Sequence, residues 1–254
     1  MRLTGRTAFV TGSSRGIGKA IALRLAADGA RIVVHARKTA SRGAAVVERI
    51  RSEGGTAELI LGDLADGDAA AALVHDAFAV FGAMDILVLN AGAGITGVAT
   101  SHTPESIDRI LSLNLRANIL STIEFAKLTE SPHGRVILIS SGSATHPAYG
   151  ASIYAAAKAG SEAFIRSAAQ ELDERGITLN SVAPGTTRTE MIDGQAWADR
   201  IPKWAALRRI GEPEDIADIV AFFASDDSRW LTGVTVAANG GLITTAATLL
   251  AYDT

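Results

Sequence analysis

The chain has 254 residues, with 24 Lys+Arg against 27 Asp+Glu, no cysteine, 25 glycines and six prolines. The lack of cysteine excludes a disulfide scaffold, a thiol nucleophile and a Cys-ligated zinc site, and a net charge of −3 supplies no global field for nucleic acid or an anionic membrane. An apolar fraction of 48% belongs to a folded chain rather than a disordered one. Its length suits a single α/β domain. No apolar run approaches the ~18 residues of a membrane span, and Met1-Arg2-Leu3-Thr4-Gly5-Arg6 lacks the apolar core of a signal peptide. The expected location is therefore cytoplasmic. His35, His75, His102, His133 and His146 show no helical i, i+3 or i+4 pairing, so no metal site is expected.

Short β-branched runs at Thr7–Thr11, Arg31–His35, Ala57–Leu61, Ile86–Asn90, Val136–Ser140, Thr178–Ala183 and Val234–Ala238 alternate with Ala-rich helical stretches. Most of these runs are continuously apolar, as expected when both faces of a parallel sheet are covered. The rhythm predicts a doubly wound α/β fold of about seven parallel strands in one domain, with helices on both faces. Ile17, Ile21 and Leu25 recur at i, i+4, i+8, and Gly29 closes their helix. Leu73, Ala77 and Phe81 repeat the pattern before Gly82, and Thr103-Pro104 reads as an N-cap with Pro at the first helical position.

The first strand runs into Thr11-Gly12-Ser13-Ser14-Arg15-Gly16-Ile17-Gly18. Glycines between a strand and a helix N-terminus allow a tight turn, and free amides at the positive end of the helix dipole can hold a pyrophosphate. About 20 residues on, a protein that prefers NAD tends to place an acid for the ribose 2′-hydroxyl. Here the segment is Val34-His35-Ala36-Arg37-Lys38, without an acid. Arg37 and Lys38, with Arg15 from the turn, can meet a 2′-phosphate through charge-assisted hydrogen bonds. The expected cofactor is NADP(H) in preference to NAD(H). Asp63-Leu64, ending the third strand, can receive the adenine amino group, and Asn90-Ala91-Gly92 ends the fourth strand on the same edge.

Tyr154 and Lys158 stand four apart in a helical stretch over Ser152–Arg175, which places both on one face. A phenol titrates near ~10 and is a poor acid-base group at neutral pH. An adjacent ammonium favours the phenolate and is expected to lower that value, with a positively charged oxidised nicotinamide adding to the effect. Ser141, just past the fifth strand, can hydrogen-bond a carbonyl oxygen that gains negative charge. No G-x-S-x-G elbow marks it as a nucleophile. The irregular stretch around 186–209 carries Met191, Trp197 and Trp204. It reads either as a lid over a pocket or as an insertion packed on the core.

Together these motifs resemble the short-chain dehydrogenase/reductase family in its compact single-domain branch, and the likeness is to the 3-oxoacyl-carrier-protein reductases. It runs almost the length of the chain, through Asn180-Ser181-Val182-Ala183-Pro184-Gly185, Arg209-Ile210-Gly211-Glu212-Pro213 and Asn239-Gly240-Gly241. The resemblance implies a Rossmann-type fold with Tyr154 as general acid-base and Lys158 holding the nicotinamide ribose. It implies that Ser141 orients the substrate carbonyl and that Asn114 anchors a water joining Lys158 to solvent. Pro184, Gly185, Thr187 and Thr189 match the stretch that meets the carboxamide end of the cofactor. A homotetramer or homodimer is implied as well, built on the helices containing Tyr154 and Pro213 and on the last strand.

The leading expectation is an NADP(H)-dependent carbonyl reductase. The alternatives are a reductase specific for 3-oxoacyl thioesters on a carrier protein, and a non-catalytic cofactor sensor. Ser143, Tyr149, Met191, Trp197 and Trp204 are pocket candidates whose bulk favours an apolar substrate, although Tyr149 can equally cap a loop and Met191 can be core. A carrier protein would need a basic patch. Arg188, Arg200, Lys203, Arg208 and Arg209 offer one, diluted by Glu190, Asp193 and Asp199.

Overall fold

The computed structural model describes residues 2–94, 97–146, 148–190, 192 and 201–242. Seven parallel strands form one sheet: β1 (Thr7–Val10), β2 (Arg31–Ala36), β3 (Thr56–Leu61), β4 (Ile86–Leu89), β5 (Arg135–Ile139), β6 (Thr178–Pro184) and β7 (Thr235–Ala238). Their order is β3-β2-β1-β4-β5-β6-β7. The expected strands match these to within one residue at each end, because continuous apolar runs flanked by glycine and polar residues leave little freedom in where a buried strand stops.

Alternate residues of each strand face opposite sides of the sheet. On one side Ala8, Val10, Ile32, Val34, Ile86 and Val88 pack under α1 (Gly16–Ala27), α2 (Ala40–Ser52) and α8 (Pro213–Ala224), through Ile21, Leu25, Val46, Ile50, Ile216 and Val220. On the other, Phe9, Val33, Leu87, Leu89, Val136 and Leu138 meet α3 (Ala69–Phe81), α5 (Ala117–Leu128) and α6 (Ser152–Glu171). A leucine or phenylalanine fully buried in this way contributes about 1.5–3 kcal/mol each. The remaining helices are α4 (Pro104–Leu111) and the single turn α7 (Ile201–Trp204). Thr103 caps α4, its Oγ1 accepting from the Ser106 amide at 3.3 Å. The helix expected to reach Arg175 ends at Glu171, and a 3₁₀ turn over Asp173–Arg175 follows it.

Between β1 and β4 the chain reverses its order of winding. In open α/β sheets such a switch point leaves a crevice at the carboxyl ends of the strands. The segments leaving β1 and β4 flank it, and the segments leaving β2, β3, β5 and β6 reach the same edge. The Gly-rich turn, Arg37, Lys38, Asp63, Asn90, Ser141 and Gly185 follow strands on that edge.

Candidate functional site

The turn after β1 is held from several sides. Thr11 Oγ1 accepts from the amides of Asn90 and Ala91 at 2.9 Å each. Asn90 Nδ2 donates to the carbonyls of Thr11 at 2.8 Å and Gly12 at 3.2 Å. Gly12 has φ +64°, and a Cβ on it would lie 3.0 Å from Ala91 Cα. Gly16 has φ +53° and faces Thr189, whose Cγ2 would lie 3.4 Å from an added Cβ. Gly18 is buried, and a Cβ there would sit 2.5 Å from the Gly12 carbonyl oxygen and against Asn90 Nδ2. Gly18 therefore lets the helix pack on its own turn, while Gly12 and Gly16 supply the left-handed backbone. Ser13 is buried, with Oγ donating to the Val10 carbonyl at 2.7 Å, whereas Ser14 and Ile17 are half-buried at the mouth of the turn. This cramped turn, opening into a helix N-terminus, fits the dinucleotide that the resemblance implies.

Arg37 and Lys38 are exposed just past β2, and Arg15 is exposed at the turn. Arg15 faces Glu190 at 3.5 Å, and Glu190 also accepts from Arg42 at 2.9 Å. Arg42 adds a fourth cation to this corner. Sequence reading missed it because it lies in the first turn of α2, beyond the end of the strand. Asp63 is bound by Arg109 at 3.0 Å and accepts from the Ala65 amide at 3.1 Å. Burial would push its carboxyl up. The Arg109 and Ala65 hydrogen bonds, with the charges of Arg109 and Arg37, outweigh burial and hold it below the usual carboxylate range. Leu64 is buried beside it.

Across the crevice, α6 presents Tyr154, Lys158 and Glu162 at successive i, i+4 steps. Lys158 is buried, and its Nζ donates to the Ile139 carbonyl at 2.8 Å. The same Nζ lies 5.8 Å from the centre of the Tyr154 ring. Burial lowers the Lys158 ammonium to about 8, against the opposing charge of Glu162. Tyr154 departs from expectation. Burial pushes its phenol up, and only a hydrogen bond with Ser141 opposes this. The ammonium lies over the ring and is bonded to a carbonyl, so its expected depression of the phenol is not seen in this geometry. Ser141 also caps the turn Gly142–Ala144 by accepting from the Ser143 amide at 3.1 Å.

Asn114 lies in a π-helical turn over Ser112–Arg116. Such turns free backbone groups for side-chain partners. The freed Asn114 carbonyl accepts from Ser161 Oγ at 2.7 Å and Asn118 Nδ2 at 2.8 Å. Its Nδ2 donates to the carbonyls of Ala93 and Ile110 at 3.0 Å each. Its Oδ1 is buried without a hydrogen-bond partner in the protein. A Cβ on Gly92 would lie 2.8 Å from that Oδ1 and 3.3 Å from Lys158 Nζ, so the glycine keeps open the space that both polar groups face.

Glu162 also escaped sequence reading, although it continues the spacing of Tyr154 and Lys158. It is only 4% exposed. Ser140 Oγ donates to it at 2.5 Å, and Arg166 lies 3.7 Å away. The carboxylate ties the end of β5, beside Ser141, to α6.

Pro184 ends β6, and Gly185 and Thr187 follow it on the same edge, with Thr187 Oγ1 donating to the Gly185 carbonyl at 3.1 Å. Tyr149 is 92% exposed. It lines an open groove of about 510 Å³ with Val98, Ala99, Gly150 and Ala155, next to the start of α6. Trp204 packs with Ile192 and Leu242 against buried Ile210. Met191 and residues 193–200 of the expected lid, Trp197 and Arg200 among them, lie outside the described residues. Among the described residues no group of three or more His, Asp or Glu is placed to hold a metal, and no helix is long and apolar enough to cross a membrane.

The Lys158 geometry carries a pH prediction. Its folded value of about 8 lies below the ordinary 10.5, so between those values the unfolded chain binds more protons and stability at this group rises with pH. The burden of a buried ammonium is fully present below pH 8 and relieved by 10.5. Relative to Lys158→Met, the wild-type chain is expected to gain up to about 3 kcal/mol across that window. Urea unfolding of both proteins at pH 7.5 and 10 measures the difference, and an unchanged gap would refute the assignment.

Residues 12–243 match the family model described as enoyl-(acyl carrier protein) reductase. A probable tetrahydroxynaphthalene reductase of Zymoseptoria tritici is 35% identical over 94% of this chain and 95% of its own length. A 3-oxoacyl-[acyl-carrier-protein] reductase of Staphylococcus aureus is 36% identical over 95% of this chain and 99% of its own. The structure of a short chain dehydrogenase from Burkholderia cenocepacia in complex with NADP superposes with a TM-score of 0.91 at 40% identity, covering 95% of this chain and 99% of that one.

Proposed function

The chain belongs to the short-chain dehydrogenase/reductase family, and from that premise we propose that it is an NADP(H)-dependent enzyme interconverting a ketone and a secondary alcohol, with Tyr154 as the proton donor and acceptor. The observation that carries the reading is the convergence of Tyr154, Ser141, Lys158 and the unpartnered Asn114 Oδ1 on the edge that also holds the Gly-rich turn.

The Gly12–Gly18 turn would hold the cofactor pyrophosphate through its amides from Ser14 onward, those of Gly12 and Ser13 being taken by His35, with Asp63 and Leu64 holding the adenine, and Arg15, Arg37 and Lys38, joined by Arg42, the 2′-phosphate. Asn90, Ala91 and Gly92 would line the ribose path, and Pro184, Gly185, Thr187 and Thr189 the carboxamide end. Bound NADPH would supply a hydride from its nicotinamide to the carbonyl carbon. Ser141 Oγ orients the carbonyl oxygen while Tyr154 donates its proton to it. The raised phenol is fully protonated at neutral pH, which suits it to act as the acid in reduction. Lys158 holds the ribose, and Asn114 Oδ1 holds the water through which Tyr154 recovers its proton.

Small ketones fit better than a carrier-bound thioester. Among the described residues of the basic patch, Arg188 is engaged by Glu212 at 3.0 Å and Arg209 by Asp215 at 2.5 Å. The Arg209 hydrogen bond holds Asp215 down to about 2. The cytoplasm is the location that goes with this reading. Self-association through β7 belongs to it as well, since Val236 on that edge strand is exposed, and a monomer by light scattering would contradict that part.

The test is NADPH oxidation with cyclic ketones, aryl ketones, sugars and 3-oxoacyl thioesters. Turnover of at least one ketone is expected, with kcat/KM for NADPH about 10- to 100-fold above that for NADH, the range of one or two charge-assisted hydrogen bonds. Tight NADPH binding without turnover of any substrate would point instead to a sensor.

A further inference from the structure

His35 is the penultimate residue of β2 and is only 2% exposed. Its backbone is stitched to the Gly-rich turn: the His35 amide donates to Ser13 Oγ at 2.9 Å, and its carbonyl accepts from the Ser13 amide at 3.0 Å. The ring spans further. Nδ1 lies 2.9 Å from the Gly12 amide nitrogen, and Nε2 lies 3.0 Å from the Gly62 carbonyl oxygen. An amide N–H only donates and a carbonyl only accepts. Nδ1 must therefore carry a lone pair and Nε2 a proton, which fixes one neutral tautomer.

Gly12 opens the turn, and Gly62 directly precedes Asp63. One buried ring thus sets the distance between the pyrophosphate side and the adenine side of the crevice. We propose that His35 is a positioning residue for the dinucleotide, its neutral ring aligning the Gly12 amide with the Gly62–Asp63 segment. This deepens the reading given under Proposed function and rests on it. The surroundings keep the ring neutral. β1 contributes the uncharged Phe9 edge, with ring centres 6.1 Å apart. The turn before α1 contributes Ser13. Asp63, after β3, is the charge that favours protonation, and it is itself drawn toward Arg109 of α4 and Arg37 after β2. Burial outweighs Asp63 and holds the ring below its ordinary value.

Two measurements test the proposal. Nitrogen-15 NMR of the protein without added cofactor is expected to show the His35 ring as the neutral Nε2–H tautomer, gaining its second proton only below the ordinary imidazole range. A ring that titrates near ~6.5, as an unperturbed imidazole does, would overturn it. Fluorescence titration with NADPH at pH 8 supplies the second. His35→Phe keeps the ring's shape and burial but removes both hydrogen bonds. It is expected to raise Kd at least about 10-fold while kcat at saturating NADPH stays within about threefold. His35→Gln, with one acceptor and one donor on a planar amide, is expected to recover most of the affinity. If the Phe variant does not fold, the Gln variant and the tautomer decide the matter. Wild-type Kd retained in His35→Phe, or a loss confined to kcat, sinks this inference alone. Failure of the wild-type chain to bind NADPH or NADH sinks the proposed function with it.

Discussion

Tyr154→Phe is expected to lower NADPH-dependent ketone reduction by about 10³-fold or more, within the range of a lost general acid acting with a lost hydrogen bond. Cofactor Kd should move by less than about threefold, because phenylalanine keeps the ring over which Lys158 Nζ lies. The raised phenol adds a directional signature. In reduction Tyr154 gives up a proton and is already protonated at neutral pH. In alcohol oxidation it must accept one, so that direction is expected to accelerate as pH rises toward the phenol's own value, while reduction does not. Stopped-flow rates in both directions between pH 6 and 10 read this asymmetry. A Phe variant with near-normal rates, or matching pH profiles in the two directions, would remove Tyr154 from the chemistry.

The same region shows what a sequence can and cannot reveal. The strands were legible because burial on two faces demands unbroken apolar runs, and the segments between them could only be crossovers. Tyr154 and Lys158 were legible from helical spacing, and Glu162 was available by the same arithmetic. A lone glutamate in a helix reads as solvated until β5 is seen to lie against it. The π-turn at Asn114 leaves no periodic trace, since one extra residue per turn is invisible over five positions. His35 looked like an unremarkable strand residue. Its importance lies in two partners, Gly12 and Gly62, which are 23 and 27 positions away. Tertiary polar contacts of this kind are set by strand order, and strand order is not written in any local pattern. The electrostatic reading of Tyr154 failed for a related reason. Spacing placed the ammonium near the ring but said nothing about burial, which governs both groups.

Gly18→Ala separates local propensity from packing, because the two predict opposite signs. Gly18 lies in the first turn of α1, and in a helix alanine is favoured over glycine by about 0.8–1 kcal/mol. Against that stands a Cβ only 2.5 Å from the Gly12 carbonyl oxygen and in contact with Asn90 Nδ2. The obstruction is backbone on one side and, on the other, an amide already fixed by two hydrogen bonds, so neither can yield without opening the turn. Overpacking of this kind costs about 1–3 kcal/mol, and more where backbone must move, which exceeds the helical gain. A net destabilisation of about 1–2 kcal/mol is therefore expected. A loss of NADPH affinity of at least about 10-fold should accompany it, because the displaced amides are the ones that would face the pyrophosphate. Gly160→Ala is the control. It too is helical, but its Cβ would meet only the Leu115 side chain, at 3.4 Å. There propensity should win, leaving stability equal or higher and cofactor affinity unchanged. Denaturant midpoints and NADPH titrations of the two variants decide the question. If Gly18→Ala bound cofactor like the wild-type chain, the close packing of helix on turn would not be what shapes the binding edge.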